Sequence, residues 1–471
     1  MPRVDWQHSA SIWTPDRPKE QMMFEHLDDP APLAPTARTF RAVLSRAQRL
    51  RRQRLVSGFA VVGTVTLVLG LVIGLAVPRS HGPAQTFVAF DAHAGPLASG
   101  TPVPLANLSD VVFISDSRGF GLAFHGASTV LAVTDDGGDT WRVVDDALPA
   151  DLPAQLEFAD ATHGYLWGGT PSANGLVPLW LTSDGGRRWV QAPVGPVVSD
   201  VSAIGSDVWA VVGTCPISSL SVADACPSPP TVDVSLDAGR TWQPTAAPPP
   251  VTEEPGLSVA DQDLELARIT PARAYVLSFA PARAADASSL GRLGYTADNG
   301  VSWVSRPDPC PTYFDVGQEI AASGTNDLWM VCASEPSSGA QAKALYRSSD
   351  GGQHWTLTAA ANAPVLSGNV SLPTAGGLPV DGYVSPYSLG HESLAVLTPN
   401  EAWLFPDRSG VFRTTDGGTA WTPVAGLVRA GLVGGGSGNI VFVDADHGWV
   451  CEVGAGLWRT TDSVHWRHVG T

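Results

Sequence analysis

Seven turn motifs recurring about every fifty residues, a strand-turn-strand motif ahead of each, and a composition crowded with turn formers predict an all-β chain of blade-sized repeats. The fold class is a seven-bladed β-propeller of four-stranded antiparallel blades. Glycine (49) and proline (39) are abundant, whereas lysine occurs only as Lys19 and Lys343, which argues for many turns and few long exposed helices.

The turn motifs are octets that open on a hydroxyl and close on tryptophan. They are marked by Thr134, Asp136, Gly138 and Trp141; by Thr182, Asp184, Gly186 and Trp189; by Ser235, Asp237, Gly239 and Trp242; by Thr296, Asp298, Gly300 and Trp303; by Ser348, Asp350, Gly352 and Trp355; and by Thr414, Asp416, Gly418 and Trp421. A seventh copy, TTDSVHW, keeps Thr460, Asp462 and Trp466 but is one residue shorter and lacks the glycine. Asp and Ser/Thr oxygens accept backbone N–H bonds in tight turns, and glycine takes positive φ without a Cβ clash. The octet thus reads as the turn between the third and fourth strands of a blade, with its tryptophan opening the fourth strand against the sheet or the next blade.

Ahead of each octet stands an apolar strand, a tight polar turn and a second, aromatic-bearing strand, as in LEFADATHGYLWGG and IVFVDADHGWVCEV. The last unit is the most compact: NIVFVD, WVCEV, LWRTT and WRHVG form its four strands. One such sheet cannot bury both faces, but a closed ring of seven can.

The pattern Ser/Thr-x-Asp-x-Gly-x-x-Trp resembles the Asp-box, or bacterial neuraminidase repeat, of sialidases, xyloglucan-degrading enzymes, sortilin-type receptors and photosystem II assembly and stability factors. Its copies span residues 108–471. The accompanying FADATHGYLW and FVDADHGW elements look most like the photosystem II stability factor branch, in which the propeller is a binding and assembly module with no catalytic residues to carry over. A sialidase would instead need an arginine triad, a Tyr/Glu nucleophilic pair and an acid Asp. Here Arg187, Arg188, Arg240, Arg347 and Arg413 lie in or beside the octets, and the early Phe-Arg-Ile-Pro motif is absent.

The N-terminal part is different in kind. Residues 1–54 carry ten Lys/Arg and six Asp/Glu, a net +4, and read as a basic, partly disordered tail. Residues 55–77, LVSGFAVVGTVTLVLGLVIGLAV, are uncharged and long enough to cross about 30 Å of hydrocarbon as a helix. Arginines 38, 41, 46, 49, 51, 52 and 54 precede that span, so the positive-inside rule predicts a cytoplasmic N-terminus and an extracytoplasmic propeller in a single-pass membrane protein. Residues 78–107 read as a stalk, with Gln85–Phe90 as a possible extra strand. Residues 79–471 hold eighteen Lys/Arg and thirty-nine Asp/Glu, a net −21, which excludes nucleic acid as a favoured partner.

All five cysteines follow the apolar span, where oxidation is permitted. Cys215 with Cys226 is the first-choice disulfide and Cys310 with Cys332 the second, leaving Cys451 over. No metal-ligand spacing and no cofactor motif is present.

Antiparallel connectivity puts the first-to-second and third-to-fourth turns of every blade at one end, and the remaining connections at the other. The length variation falls at the second end, so the functional surface is expected there. Tyr313, Phe314 and Asp315, with Tyr383 and Tyr387, are its candidate binding residues, and Glu253, Glu254, Asp261 and Asp263 add acids. The octet aspartates lie on separate blades, too dispersed to converge on one substrate, and His163 and His447 occupy equivalent turns. The expected function is a non-catalytic module that binds an extracytoplasmic protein, for assembly or sensing. The alternative is a sialidase-like or other glycan-cleaving hydrolase acting on a glycan partner.

Overall fold

The computed structural model describes residues 97–470 except 127, 146–147, 150–154, 169–175, 214–229, 249–262, 280–289, 311–316, 335–340, 362–376, 380–381, 385–392, 407–408, 426 and 428–437. The described residues all fall within one compact unit, Phe87–Thr471. Among them no helix is long and apolar enough to cross a membrane; Leu55–Val77, Gln85–Phe90 and the tail lie outside them.

Among the described residues, twenty-eight strands form seven four-stranded antiparallel sheets, each a simple meander. Blade 1 comprises β1 (Leu108–Phe113), β2 (Gly119–His125), β3 (Ser128–Thr134) and β4 (Arg142–Asp145). Blade 2 comprises β5 (Gln155–Phe158), β6 (Gly164–Trp167), β7 (Trp180–Thr182) and β8 (Val190–Gln191). Blade 3 comprises β9 (Val197–Ile204), β10 (Asp207–Gly213), β11 (Thr231–Ser235) and β12 (Gln243–Pro244). Blade 4 comprises β13 (Asp263–Thr270), β14 (Arg273–Phe279), β15 (Leu290–Thr296) and β16 (Val304–Pro307). Blade 5 comprises β17 (Gly317–Ala322), β18 (Leu328–Ala333), β19 (Lys343–Ser348) and β20 (Thr356–Ala361). Blade 6 comprises β21 (Leu394–Val396), β22 (Ala402–Leu404), β23 (Phe412–Thr414) and β24 (Thr422–Pro423). Blade 7 comprises β25 (Gly438–Phe442), β26 (Gly448–Glu452), β27 (Gly456–Thr460) and β28 (Trp466–His468).

The first strands pack side by side in cyclic order, β1 on β5, β9, β13, β17, β21 and β25, and β25 returns to β1. The core lies between blades. One cluster joins β1, β2 and β3 residues of blade 1 to Trp449, Cys451 and Leu457 of blade 7, and others join each blade to its neighbour in the same way. Trp209, Trp329, Trp403 and Trp449 on the second strands are fully buried, and Trp167, two residues beyond the equivalent Tyr165, is buried as well.

Among the described residues no strand is exchanged at the seam between blades 7 and 1, and side chains bridge it. The Trp449 indole N–H donates to the Gly137 carbonyl at 2.9 Å, Arg459 to the Asp116 carbonyl at 2.8 Å, and Arg467 to the Asp139 carboxylate at 2.7 Å. Residues 100–103 add a short strand to the outer edge of β4, with Gly100 and Val143, Val143 and Thr101, and Val103 and Trp141 joined by backbone hydrogen bonds. Leu97 and Leu105 pack into the seam cluster. The end of the sequence-predicted stalk is therefore part of the wheel, because Leu105 and Val103 find apolar surface there that a free linker would leave in water.

A polar ring runs around the hub. Opposite the residue two beyond each second-strand aromatic stand Asp110, Gln155, Asp200, Glu265, Glu319, Ser393 and Asn439. Several of these reach the neighbouring blade. Leu266 N–H donates to Asp200 at 2.7 Å, Leu394 N–H to Glu319 at 2.8 Å, the Ser393 hydroxyl to Glu319, and Asn439 to Asp110 at 3.0 Å. Glu157, two residues further along β5, accepts the Ala203 N–H at 2.7 Å. Hub strands have one edge without a ladder partner, and these side chains supply it across the blade boundary.

Candidate functional site

The two ends of the wheel are built for different purposes. At the octet end every connection is short, none longer than the stretch between Thr134 and Arg142. In all seven copies the opening hydroxyl is buried and donates to the aspartate two residues on, from 2.8 Å at Thr134 to 3.2 Å at Thr460. In the six full copies the same oxygen accepts the N–H of the second glycine, as at Thr134 and Gly138 (2.9 Å) and at Thr414 and Gly418 (3.0 Å). The aspartate then accepts the N–H four residues on, for example Thr140 to Asp136 and Arg188 to Asp184, both at 2.9 Å.

The two glycine positions answer to different constraints. The first is left-handed in every full copy but is filled by Ala238 (φ 60°) and Asn299 (φ 59°) as well as by glycine. The second is glycine in all six full copies, each at a φ between 74° and 94°, and at most of them the preceding blade also leaves a Cβ no room: one on Gly186 would overlap Leu131, and one on Gly418 would overlap Leu345 and lie 2.8 Å from Trp329, whereas Gly352 has no neighbour nearer than 3.4 Å. The shortened copy puts Ser463 at φ 56° and has Val464 and His465 N–H groups on Asp462. The octet is thus an inter-blade fastening as well as a turn.

The closing tryptophan sits one residue before the fourth strand in six blades and inside it, as Trp466, in the last, a small shift from the sequence expectation. The indole N–H of Trp141, Trp189, Trp242 and Trp421 donates to the second glycine's carbonyl, at 2.8 to 3.1 Å, which stops the turn in place of a ladder bond. Trp355 donates instead to Pro307 of blade 4, at 2.9 Å.

Hydrogen bonding dominates the electrostatics of this end. The Thr241 N–H and hydroxyl, then Ser235, bring Asp237 down to about 2. The Ser302 hydroxyl and N–H lower Asp298, the His354 N–H and ring lower Asp350, and the His465 ring and N–H lower Asp462. Burial acts to raise Asp136 and Asp416, but bonds from Thr140 and Thr134, and from Ala420 and Thr414, outweigh it. His163 and His447 face Asp160 and Asp444 of their own turns at 2.8 and 2.9 Å. These carboxylates are spent on local backbone, and the octets stay on seven separate blades.

The opposite end carries the long connections, among them Gly213 to Thr231, Pro244 to Asp263 and Ala361 to Leu394. Two are tied down at blade 5. Cys310, ahead of β17, is disulfide-bonded to Cys332 on β18, with Asp308 accepting the Cys310 N–H at 2.9 Å and Gln318 donating to it at 3.4 Å. The pairing ranked second on sequence is therefore formed, while Cys215 and Cys226 lie outside the described residues. Cys451 is unpaired and buried, which pushes its thiol far up.

The second tie is Lys343. Its ammonium is fully buried and donates to the carbonyls of Gly382 (2.9 Å) and Pro379 (3.1 Å), while Gln341 exchanges bonds with Val384 N–H (2.8 Å) and Val384 carbonyl (3.0 Å). A buried ammonium needs several acceptors to offset its lost hydration, and the loop's carbonyls provide them. Tyr383, half-buried, is held between two anchored neighbours. Of the other candidates, Tyr313, Phe314, Asp315 and Tyr387 lie outside the described residues, as do Glu253, Glu254 and Asp261. Among the described residues no group of three or more His, Cys, Asp or Glu side chains is arranged to hold a metal.

No family model matches the chain, and no curated protein does. Solved structures do. The chain is similar to YCF48 bound to D1 peptide (17% identity, covering 78% of this chain and 98% of that one, TM-score 0.46) and to YCF48 from Cyanidioschyzon merolae (13%, 78% and 99%, 0.45). It is also similar to the GH74 enzyme of Niastella koreensis (16%, 78% and 65%, 0.36). The seven-bladed architecture rests on the chain's own sheets and their cyclic packing.

Proposed function

We propose that this chain is a single-pass membrane protein whose extracytoplasmic Asp-box propeller is a non-catalytic module that binds a protein partner, for assembly or sensing. The observation that carries this reading is the asymmetry of the wheel. One end spends its hydroxyls, carboxylates and glycines on fastening blades, and the other bears long connections anchored by Cys310–Cys332 and by Lys343. Anchored loops on a rigid scaffold present a surface whose ordering cost is already met. The apolar Leu55–Val77 run with its preceding arginines supports the anchor and orientation, and the disulfide accords with an oxidising compartment.

The test uses the full chain in intact cells, with a promiscuous labelling enzyme fused after Thr471. Reproducible labelling of one extracytoplasmic protein, together with protection of the propeller from protease until the outer side is opened, is the expected result. Labelling of cytosolic proteins contradicts the topology. Turnover of sialosides or β-glucans by the purified chain, abolished by changing an acid at the long-connection end, contradicts the non-catalytic reading and moves the assignment to a glycan hydrolase.

A further inference from the structure

A large apolar side chain alone on a surface needs no explanation, but several on one stretch beside unpaired cations do. Among the described residues Val190, Leu236, Val301, Val304 and Val464 are the large apolar side chains left exposed, and all lie in an octet or directly after its tryptophan. All but Val464 belong to the consecutive blades 2, 3 and 4. The turn itself does not call for them. The position of Leu236 is Asp135, Ser349 and Thr415 in blades 1, 5 and 6; that of Val301 is Asp139, Gln353 and Thr419; and that of Val190 and Val304 is Arg142, Thr356 and Thr422.

The segments that carry these side chains touch one another. Val190 pairs with Leu181 across β8 and β7, and Leu181 is the residue against which Gly239 of the blade 3 octet packs. Ala246, just beyond β12, donates its N–H to the Gly300 carbonyl at 2.8 Å, which seats the blade 4 octet, and Val301 with it, on the outer part of blade 3. Arg187, Arg188 and Arg240 are exposed in the same arc, and among the described residues none of them is in an ion pair; the Arg187 guanidinium donates to the Asp184 carbonyl. At blades 1, 6 and 7, by contrast, Arg118 and Arg142 pair with Asp135, Arg413 with Glu401 and Arg467 with Asp139.

We propose that this arc of the octet end rests on the bilayer that anchors the chain, with Leu236, Val301 and Val304 entering the headgroup layer and Arg187, Arg188 and Arg240 meeting lipid phosphates. The inference rests on the Leu55–Val77 anchor proposed above. Aliphatic side chains beside unpaired guanidinium groups suit an interface that offers acyl chain and phosphate together. Such a surface is within reach: residues 78–96 span about 65 Å when fully extended, more than twice the length of an eight-residue strand such as β9, about 27 Å. The tether also holds the wheel at high effective concentration beside the membrane, so a contact too weak to recruit a free protein is enough to orient this one. The net −21 of residues 79–471 opposes anionic lipid for the wheel as a whole, so the contact falls where arginines are unpaired and not at blade 1, whose octet carries Asp135, Asp136 and Asp139. The long-connection end then faces away from the membrane, open to a partner.

The test places a photo-crosslinking amino acid at position 236, 301 or 353 of the full chain in nanodiscs of phosphatidylcholine and phosphatidylglycerol, and identifies the adducts by mass spectrometry. Lipid adducts are expected from positions 236 and 301, about fivefold or more above position 353, the exposed equivalent of 301 in the blade 5 octet. Val304→Asp combined with Arg240→Glu is expected to lower the lipid adduct at 301 about fivefold or more, with an unchanged melting temperature showing that the variant is folded. Equal lipid adducts at 301 and 353, an adduct at 301 unmoved by the double variant, or adducts with a second copy of the chain overturn the inference. A chain that fails to enter nanodiscs contradicts the anchor, and this contact with it. A chain that enters them and gives no lipid adduct from 236 or 301 leaves the anchor standing and removes the contact.

Discussion

Replacing Thr414 by valine removes one oxygen from the octet of blade 6 and keeps the shape of the side chain. That hydroxyl is buried, accepts the Gly418 N–H at 3.0 Å and donates to the Asp416 carboxylate at 2.9 Å. Stranding a buried N–H costs about 1–3 kcal/mol, and a hydrogen bond to a charged group contributes about 1.5–3 kcal/mol. The two losses are coupled through one atom, so a total destabilisation of about 2–4 kcal/mol is expected. Thr414→Ser keeps the hydroxyl, as Ser235 and Ser348 do in their own octets, and sacrifices one buried methyl at about 0.8 kcal/mol. Urea unfolding of the full chain, followed by tryptophan fluorescence, separates the two: the midpoint is expected to fall much further for valine than for serine. If valine is no more damaging than serine, the hydroxyl is not the fastening and the hydrogen-bond account of the octet is wrong.

Three more outcomes follow from the same interactions. Glu319→Ala removes the acceptor of Leu394 N–H and the Ser393 hydroxyl across the blade 5 to blade 6 boundary, and is expected to cost about 2–4 kcal/mol by the same unfolding assay, with hydrogen exchange rising first at β21. Asp237, Asp298, Asp350 and Asp462 sit below their unfolded value of about 3.9, so their contribution is complete above roughly pH 4 and is lost as pH falls through the folded values, near 2 for Asp237; acid unfolding is expected to begin just below pH 4, and a stability that rises on acidification contradicts it. Reducing Cys310–Cys332, which closes a 22-residue separation, is expected to cost about 3 kcal/mol on the chain-entropy account, seen as a lower melting temperature in the reduced protein and not in Cys310→Ser/Cys332→Ser treated with the same reductant.

The wheel was legible because its signals are local. Each octet and each strand-turn-strand motif lies within a dozen or so residues, and their recurrence counts the blades. What lies between blades was not. Glu319 on β17 reads as a polar residue on one face of a strand, and its partner Leu394 is 75 positions away. Gly186 reads as a turn glycine, as its φ of 87° requires; that Leu131 on the preceding blade also leaves a Cβ there no room is not visible in the sequence. Cys310 and Cys332 are brought together by a connection that crosses from one blade to the next, which spacing does not encode. The candidate face was found from connection lengths, but Lys343 and Gln341 look like ordinary polar positions until the returning loop is seen over them.

The most direct measurement places a photo-crosslinking amino acid in the full chain in intact cells, at Tyr383 on the long-connection end or at exposed Arg240 in the octet of blade 3. A discrete protein adduct from position 383 and none from position 240 is the predicted result. Adducts from position 240 alone, or none from position 383 under conditions where the labelled chain is folded, would contradict a binding face opposite the fastenings.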